Sequence, residues 1–593
     1  MTATPTKSEE LRAVLRRCWN GILFAGFLSA FLNLLALTVP LYMLQIYDRV
    51  ITSRSFDTLF MLSMMAVFAL GVFALLDYLR ARVYLILGER VARQLNASVL
   101  TAAVSEALRS KGASAQALRD LNDIRQFVAS GPISATFDAA CAPLFLAALF
   151  LLHPSYGFIA LIALAALVGL GLLTEFFARR PTHAAQDGAI RVQMEAGAVV
   201  RGAELVEGLG MLPALARRWE IQRDNAEAGV WRGTNAVKAI SSLSKATRLA
   251  IQIIMLAVGA TLAIEHIITP GSMVAASIIV GRLLMPFEQL IDGWRQWANA
   301  GAAKGRLERT LAAAVGRKQS MPMEVKSGKL VVDRVSFVPP GADRPILRGV
   351  SFEVSPGEVI GIVGPSASGK STLARLLIGA FAPSGGGVYL DGQPVHMWER
   401  ESFGQQVGYL PQSVLLLDGT VRENIARFRD ADPAEVVAAA RMADVHEMIG
   451  RLPFGYETAV GESGFQLSGG QRQRIGLARA VFGKPKLIVL DEPNASLDGQ
   501  GELALLNAIR AAKQEGATVV LIAHRPSLVT VVDRLLVLND GVVERYGPRA
   551  EVLRAITAGT NRGPVRVAPS EALPAAATGQ GPAPKAPPGR GGA

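Results

Sequence analysis

Eight residues, Gly364-Pro-Ser-Ala-Ser-Gly-Lys-Ser371, constrain this chain more than any others. They fit G-x-x-x-x-G-K-[ST], a loop whose backbone N–H groups turn inward around a phosphate. Gly364, Pro365, Ser366, Ala367, Ser368 and Gly369 make the turn. Lys370, Ser371 and Thr372 open the segment after it. Ahead of the loop, Glu358-Val-Ile-Gly-Ile-Val363 reads as a buried strand. Behind it, Thr372-Leu-Ala-Arg-Leu-Leu-Ile378 reads as a helix. Strand, glycine-rich turn and helix, in that order, are the setting such a loop requires. The helix offers its positive end to the anion. Lys370 is placed to bridge β- and γ-phosphate oxygens, and Ser371 to bind Mg²⁺. Part of the chain is therefore expected to be an α/β P-loop domain.

The rest cannot all belong to that domain. At 593 residues the chain is too long for one core. Half of it is hydrophobic and only 19% is charged, which suits a membrane protein carrying a cytosolic domain. The net charge of +12 admits two partners, nucleic acid or the anionic lipid beside positive-inside loops. The apolar stretches favour lipid, and no nucleic-acid partner is expected. Cys18 and Cys141 make neither a metal spacing nor a disulfide framework. The first apolar run is too long for a cleavable signal peptide.

Arg12, Arg16 and Arg17 precede that run and place residues 1–20 in the cytoplasm. Within residues 21–315 six spans are expected: Gly21 to Ile46, Phe56 to Asp77, Ile133 to Leu152, Tyr156 to Phe177, Leu249 to Ile268, and Met273 to about Leu290. Arg282 and Glu288 interrupt the last. Leu79 to Ser130 and Thr182 to Lys245 read as long helical excursions on the cytoplasmic side, whose tips can touch another domain. Asp77 and Glu175 lie near span ends, where snorkelling suffices to explain them. Asp138 is more interior, and both a structural role and a place on a transport path stay open.

After Gly316-Arg317-Lys318 the apolar runs give way to alternation. Lys329 to Phe337 and Leu347 to Val354 read as strands, and Val407 to Gln412 as a strand ending in Gln412. Ala431 to Ile449 reads as one helix. Leu467-Ser468-Gly469-Gly470-Gln471 precedes a helix from Arg472 to Phe482 and makes a second anion cradle. One nucleotide cannot easily use two cradles of one domain, so a second copy turned head to tail is expected to close this one. Leu487 to Leu490 ends in Asp491 and Glu492, which puts one acid in a Mg²⁺ shell and the other beside the attacking water. Ser496-Leu-Asp498 follows. A further strand, Thr518 to Ala523, ends at His524, placed to touch a γ-phosphate. Residues 563–593, rich in Pro, Ala and Gly, are expected to be disordered.

This ordered set, over about residues 325–555, resembles the ATP-binding-cassette ATPases. The resemblance makes Gly364–Ser371 the Walker A loop, Gln412 the Q-loop residue and Leu467–Gln471 the signature. Leu487–Asp491 becomes Walker B, Glu492 the catalytic base, Ser496–Asp498 the D-loop and His524 the switch histidine. It implies ATP and Mg²⁺, the metal held by Ser371, Gln412 and Asp491. It also implies a homodimer sandwiching two ATP molecules, with Ser468, Gly469, Gly470, Gln471 and Asp498 serving the partner's nucleotide. Six spans fused ahead of the cassette are similar to an all-α exporter domain. Leu41-Tyr-Met-Leu-Gln-Ile-Tyr-Asp-Arg-Val50, Ser55-Phe-Asp-Thr-Leu59 and His153-Pro154 resemble the type I protein-secretion permease/ATPases that export proteases and calcium-repeat proteins. That implies a bacterial inner-membrane exporter of unfolded polypeptide, working with a periplasmic membrane-fusion adaptor and an outer-membrane exit duct.

Three departures from the family pattern stand out. Pro339 occupies the place of a tyrosine that stacks on adenine in many cassettes. Asp138-Ala-Ala-Cys-Ala-Pro143 replaces Asp-x-Pro-Trp-x-Pro. With about 20 residues before the first span, no N-terminal peptidase-like domain and no leader cleavage are expected. Two other readings remain at this stage. One is the same engine moving lipid, glycan or small peptide. The other is a regulatory or nucleic-acid-directed ATPase that is merely anchored.

Overall fold

A computed structural model describes residues 7–109, 116–313, 325–523 and 526–557. His524 and the 563–593 tail lie outside the described residues. The chain divides into two compact units, Met1–Gly316 and Arg317–Ala593.

Every described element of the first unit is helical. Among the described residues five helices are long and apolar enough to cross a membrane, or six if one bent pair counts as a single span. Three of the helices run far past any bilayer: Phe56–Arg109 with 54 residues, Pro154–Arg201 with 48 and Leu212–Ile264 with 53. At 1.5 Å per residue they reach about 70 to 80 Å, against a hydrocarbon core of about 30 Å. Each span thus continues as a polar rod without a break. The third expected span is two helices, Gly131–Ala140 and Ala142–Leu152, bent by 41° at Cys141. Pro143 accounts for the bend, because its ring lacks an N–H and collides with the carbonyl four residues back. His153 then caps the next helix, its Nδ1 accepting from the Ser155 N–H at 3.2 Å, with Pro154 in the first turn.

Several of the charges in the spans are paired. Arg80 donates to Asp138 at 2.9 Å, to Asp77 at 2.8 Å and to the Ser29 hydroxyl at 3.0 Å. Asn33 adds a further bond, to Asp138 at 2.8 Å. Asp77 therefore shares a guanidinium with Asp138, more than snorkelling requires. In the sixth span, Glu288 is buried and meets Arg248 of the fifth at 3.0 Å. Asp48 accepts from the Gly271 N–H at 2.9 Å and the Thr269 hydroxyl at 2.6 Å, fastening the turn after the first span to the start of the sixth.

The second unit is built on sheets. Its strands are β1 (Leu330–Phe337), β2 (Leu347–Val354), β3 (Val359–Val363), β4 (Gly385–Leu390), β5 (Gln393–Pro394), β6 (Val407–Leu410), β7 (Gly419–Thr420), β8 (Ala459–Val460), β9 (Leu487–Asp491), β10 (Thr518–Ile522), β11 (Arg534–Asn539) and β12 (Val542–Pro548). Six form one sheet in the order β12-β11-β3-β10-β9-β6, parallel except at β12. Four form an antiparallel sheet, β2-β1-β4-β5. One face of the six-stranded sheet packs on helices through Leu477, Leu505 and Ile509. The other meets Leu330 and Val350 of the smaller sheet. Burial on both faces is why β3, β9 and β10 read as unbroken apolar runs.

The helix expected over Ala431 to Ile449 is two, Pro433–Met442 and His446–Gly450. Asp444 takes a left-handed φ of +50° between them, a conformation its short polar side chain tolerates.

Asp391 secures the start of β1. Its carboxylate accepts from the N–H groups of Lys326, Ser327, Gly328 and Lys329, and from the Ser327 hydroxyl. Burial pulls this carboxyl up, but those bonds outweigh it and hold it at about 2. A depressed acid stabilises the fold fully above its unfolded pKa, near 3.8, and loses that contribution as pH falls through about 2. The shift at face value is worth about 2.5 kcal/mol, which solvent at this part-exposed position reduces to about 1 kcal/mol. Asp391→Asn is expected to lower cassette stability by that amount at pH 7. The gap to wild type should close toward pH 2 in denaturant titrations, and a pH-independent difference would remove the carboxylate from the account.

Candidate active site

The phosphate loop leaves β3 at Gly364 and enters the helix Lys370–Leu377. Gly364 has φ +156° and Gly369 φ +100°. A Cβ on Gly364 would sit 2.0 Å from the Leu538 carbonyl oxygen, and one on Gly369 2.7 Å from Leu347. Only glycine fits either place. No side chain caps the helix start, so its first N–H groups face the loop's concave side. The Ser368 hydroxyl is buried there without a hydrogen-bond partner. Lys370 folds back over the loop, its Nζ donating to the Gly364 carbonyl at 2.9 Å and the Pro365 carbonyl at 2.7 Å. Burial pushes its ammonium down, against the pull of Glu492 and Asp491. A cradle of N–H groups, an orphaned hydroxyl and a buried ammonium fit a polyphosphate.

β9 is buried throughout and lies between β10 and β6, so its C-terminal end delivers Asp491 beside the loop. The Ser371 hydroxyl donates to Asp491 at 3.2 Å. Burial pushes the Asp491 carboxyl up, partly offset by the Ser371 bond and reinforced by Glu492. Among the described residues no cluster of three His, Cys, Asp or Glu could hold a metal. One carboxylate and one hydroxyl suit a cation that takes its remaining ligands from phosphate and water, as Mg²⁺ does. Glu492 turns off the strand at φ +50°, its N–H donating to the Ile522 carbonyl at 3.1 Å. Its carboxylate accepts from Gln412 Nε2 at 2.8 Å. Two residues separated by 80 positions thus meet at the end of the sheet.

The signature lies at a helix start, but the helix begins earlier than its sequence suggests. It runs Gly469–Val481 with Ser468 as N-cap. Ser468 Oγ accepts from the Gln471 N–H at 3.2 Å, and Gln471 Oε1 accepts from the Ser468 N–H at 2.9 Å. Ser-x-x-Gln is the capping-box spacing, the signal that would have placed the start. The D-loop packs against it: a Cβ on Gly470 would lie 2.9 Å from the Ser496 carbonyl oxygen. Asp498 accepts from Arg474 at 3.3 Å and from the Gly501 N–H at 2.8 Å. Gln473, buried in the same helix, donates to the Pro493 carbonyl at 3.0 Å.

The geometry groups Lys370, Ser371 and Asp491; joins Gln412 to Glu492; and sets Gly469 and Gly470 against Ser496, with Ser468 and Asp498 bonded to the same helix or its neighbour. Tyr409 escaped the sequence reading. Burial and the neighbouring Asp491 push its hydroxyl up. Phe337, next to the Pro339 departure, turns inward and stacks on Phe381 at 5.3 Å. It is committed to the core.

Two family models match: ABC transporter over residues 347–495 and ABC transporter transmembrane region over 22–287. The type I secretion system ATP-binding protein PrsD of Rhizobium meliloti (strain 1021) is 36% identical, across 98% of this chain and 99% of that one. The cyclolysin secretion/processing ATP-binding protein CyaB of Bordetella pertussis (strain Tohama I) is 33% identical, across 89% of this chain and 75% of its own length. A solved bacterial Atm1-family ABC exporter with ATP bound shares the fold at a TM-score of 0.77 and 24% identity, covering 93% of this chain and all of that one. With a polyphosphate cradle, an acid pair at the sheet's end and this near full-length likeness, the chain belongs to the type I secretion system ATP-binding proteins of the ABC transporter family.

Proposed function

We propose that this ATPase, coupled to membrane transport, moves an unfolded polypeptide out of the cytoplasm across a bacterial inner membrane. The observation that carries the reading is the likeness to PrsD, which runs through both units rather than the cassette alone. The spans cross with the N-terminus and the cassette in the cytoplasm, as Arg12, Arg16 and Arg17 argue. A membrane-fusion adaptor and an outer-membrane duct carry the polypeptide onward.

In the cassette the loop N–H groups and the Ser368 hydroxyl donate to ATP's β-phosphate oxygens, and Lys370 reaches the γ-phosphate. Ser371, Asp491 and Gln412 would hold Mg²⁺, which when bound draws charge from the phosphoryl oxygens. Glu492 orients and deprotonates the attacking water, with Gln412 fixing the carboxylate that does so. The family resemblance assigns the γ-phosphate to His524. Two copies pair head to tail, so that Ser468, Gly469, Gly470, Gln471 and Asp498 of one serve the ATP of the other. Ser468 suits this role although it caps its own helix. Its oxygen accepts in the cap, and its O–H remains free to donate to a phosphate.

The test compares extracellular proteins of cells with and without this chain. At least one polypeptide is expected to vanish from the medium and accumulate inside. An unchanged protein profile with an altered envelope lipid or glycan would overturn the polypeptide cargo.

A further inference from the structure

We propose that Arg427 is a positioning residue for ATP turnover, pinning the C-terminal end of the signature helix to the base of the strand that leads to Gln412. The inference rests on the roles proposed above for Gln412 and Ser468.

Arg427 spends all five of its N–H donors on backbone carbonyls of separate segments. Nη1 donates to Gly404 and Val407, just before and at the start of β6. Nε donates to Arg479 at 2.9 Å, and Nη2 to Ala480 at 3.1 Å and Phe482 at 3.2 Å, the end of the signature helix. No acid neutralises it through these bonds. Burial pushes its guanidinium down to about 10, and the charges acting on it, Arg429 and Arg479, share its sign. What holds the cation is the negative end of the signature helix. Arg427 and Phe428 both take left-handed backbone, φ +59° and +56°, which side chains normally avoid.

The joint it makes is tight. A Cβ on Gly408 would lie 2.0 Å from the Ala480 carbonyl oxygen that Arg427 holds. Further along, one on Gly476 would lie 2.8 Å from Val414 and 2.9 Å from Leu410. Arg479 donates to the Leu415 carbonyl at 3.0 Å, three residues past Gln412. Gln412 is thus carried between two points fastened to one helix. Ser468 caps the other end of that helix, which has 13 residues and spans about 20 Å. A tilt of about 5° at the pinned end moves Ser468 by about 2 Å over such a length, and misplacement by about 1 Å can cost about a hundredfold in rate. A planar fork of five donors fixes both segments at once. A lysine, with three rotating donors, keeps the charge and loses the geometry.

The experiment uses the full-length chain in lipid nanodiscs. It measures kcat and KM for ATP hydrolysis, ATP affinity by titration, and thermal unfolding. Variants are Arg427→Lys, Gln412→Ala and the double variant. Arg427→Lys is expected to lower kcat at least tenfold with ATP affinity within twofold of wild type. In the Gln412→Ala background it should add less than a further threefold loss, since both act through one element. A kcat within twofold of wild type, a parallel loss of affinity and kcat, or fully multiplicative losses would each overturn the proposal. If Arg427→Lys does not fold, Arg479→Lys is judged by the same criteria. Gln412→Ala at the wild-type rate would overturn the assignment of Gln412 itself and leave Arg427 to be judged on its own kcat and affinity.

Discussion

Glu492→Gln is expected to reduce ATP turnover by at least a hundredfold while ATP remains bound. The substitution keeps the size of the side chain and its contact with Gln412, now amide to amide, but removes the carboxylate proposed to take a proton from water. General-base catalysis contributes about 10² to 10⁴ in rate. The bonds that hold the phosphate cradle run to other residues, Lys370 to the Gly364 and Pro365 carbonyls and Ser371 to Asp491, so only the attraction of Glu492 for the Lys370 ammonium is lost there. Removing a negative charge near the γ-phosphate also favours the bound anion. Phosphate release and equilibrium ATP titration check the two halves separately. Full turnover would remove Glu492 from the chemistry, and lost binding would show that it serves the cradle instead.

Lys370→Ala is expected to fail one step earlier, at binding. A charge-assisted hydrogen bond to phosphate contributes about 1.5 to 3 kcal/mol, and two such bonds put the loss of ATP affinity at about a hundredfold or more. The variant also takes a donor from the Gly364 and Pro365 carbonyls, which Lys370 now ties together, so the loop loosens as well. ATP titration of the full-length variant reads the effect directly. Unchanged affinity would mean that the ammonium's pairing with the loop is structural only.

The phosphate loop was legible from sequence because backbone geometry dictates its glycines. Gly364 and Gly369 occupy places where a Cβ collides with Leu538 and Leu347. β9 was legible because a strand buried on both faces must be apolar until it reaches the acids at its end. The candidate spans followed from the length and apolar character of their runs, though the third is a bent pair of helices. What sequence did not give were pairings across long separations. Gln412 and Glu492, or Arg80 and Asp138, carry no local pattern that joins them. The capping box of Ser468 and Gln471 was local and readable, but the glycine pair between them made an anion cradle the preferred reading over a helix cap. Nothing local marks Asp391, and its grip on residues some sixty positions earlier is a product of the folded sheet.

That grip has a mechanical consequence. A strand tethered by its own ladder peels one bond at a time when its first residue is pulled. Here Lys326 to Lys329 converge on a single carboxylate, so traction arriving along the backbone meets several bonds loaded in parallel. The first strand of the cassette is thereby held against unravelling from its own beginning.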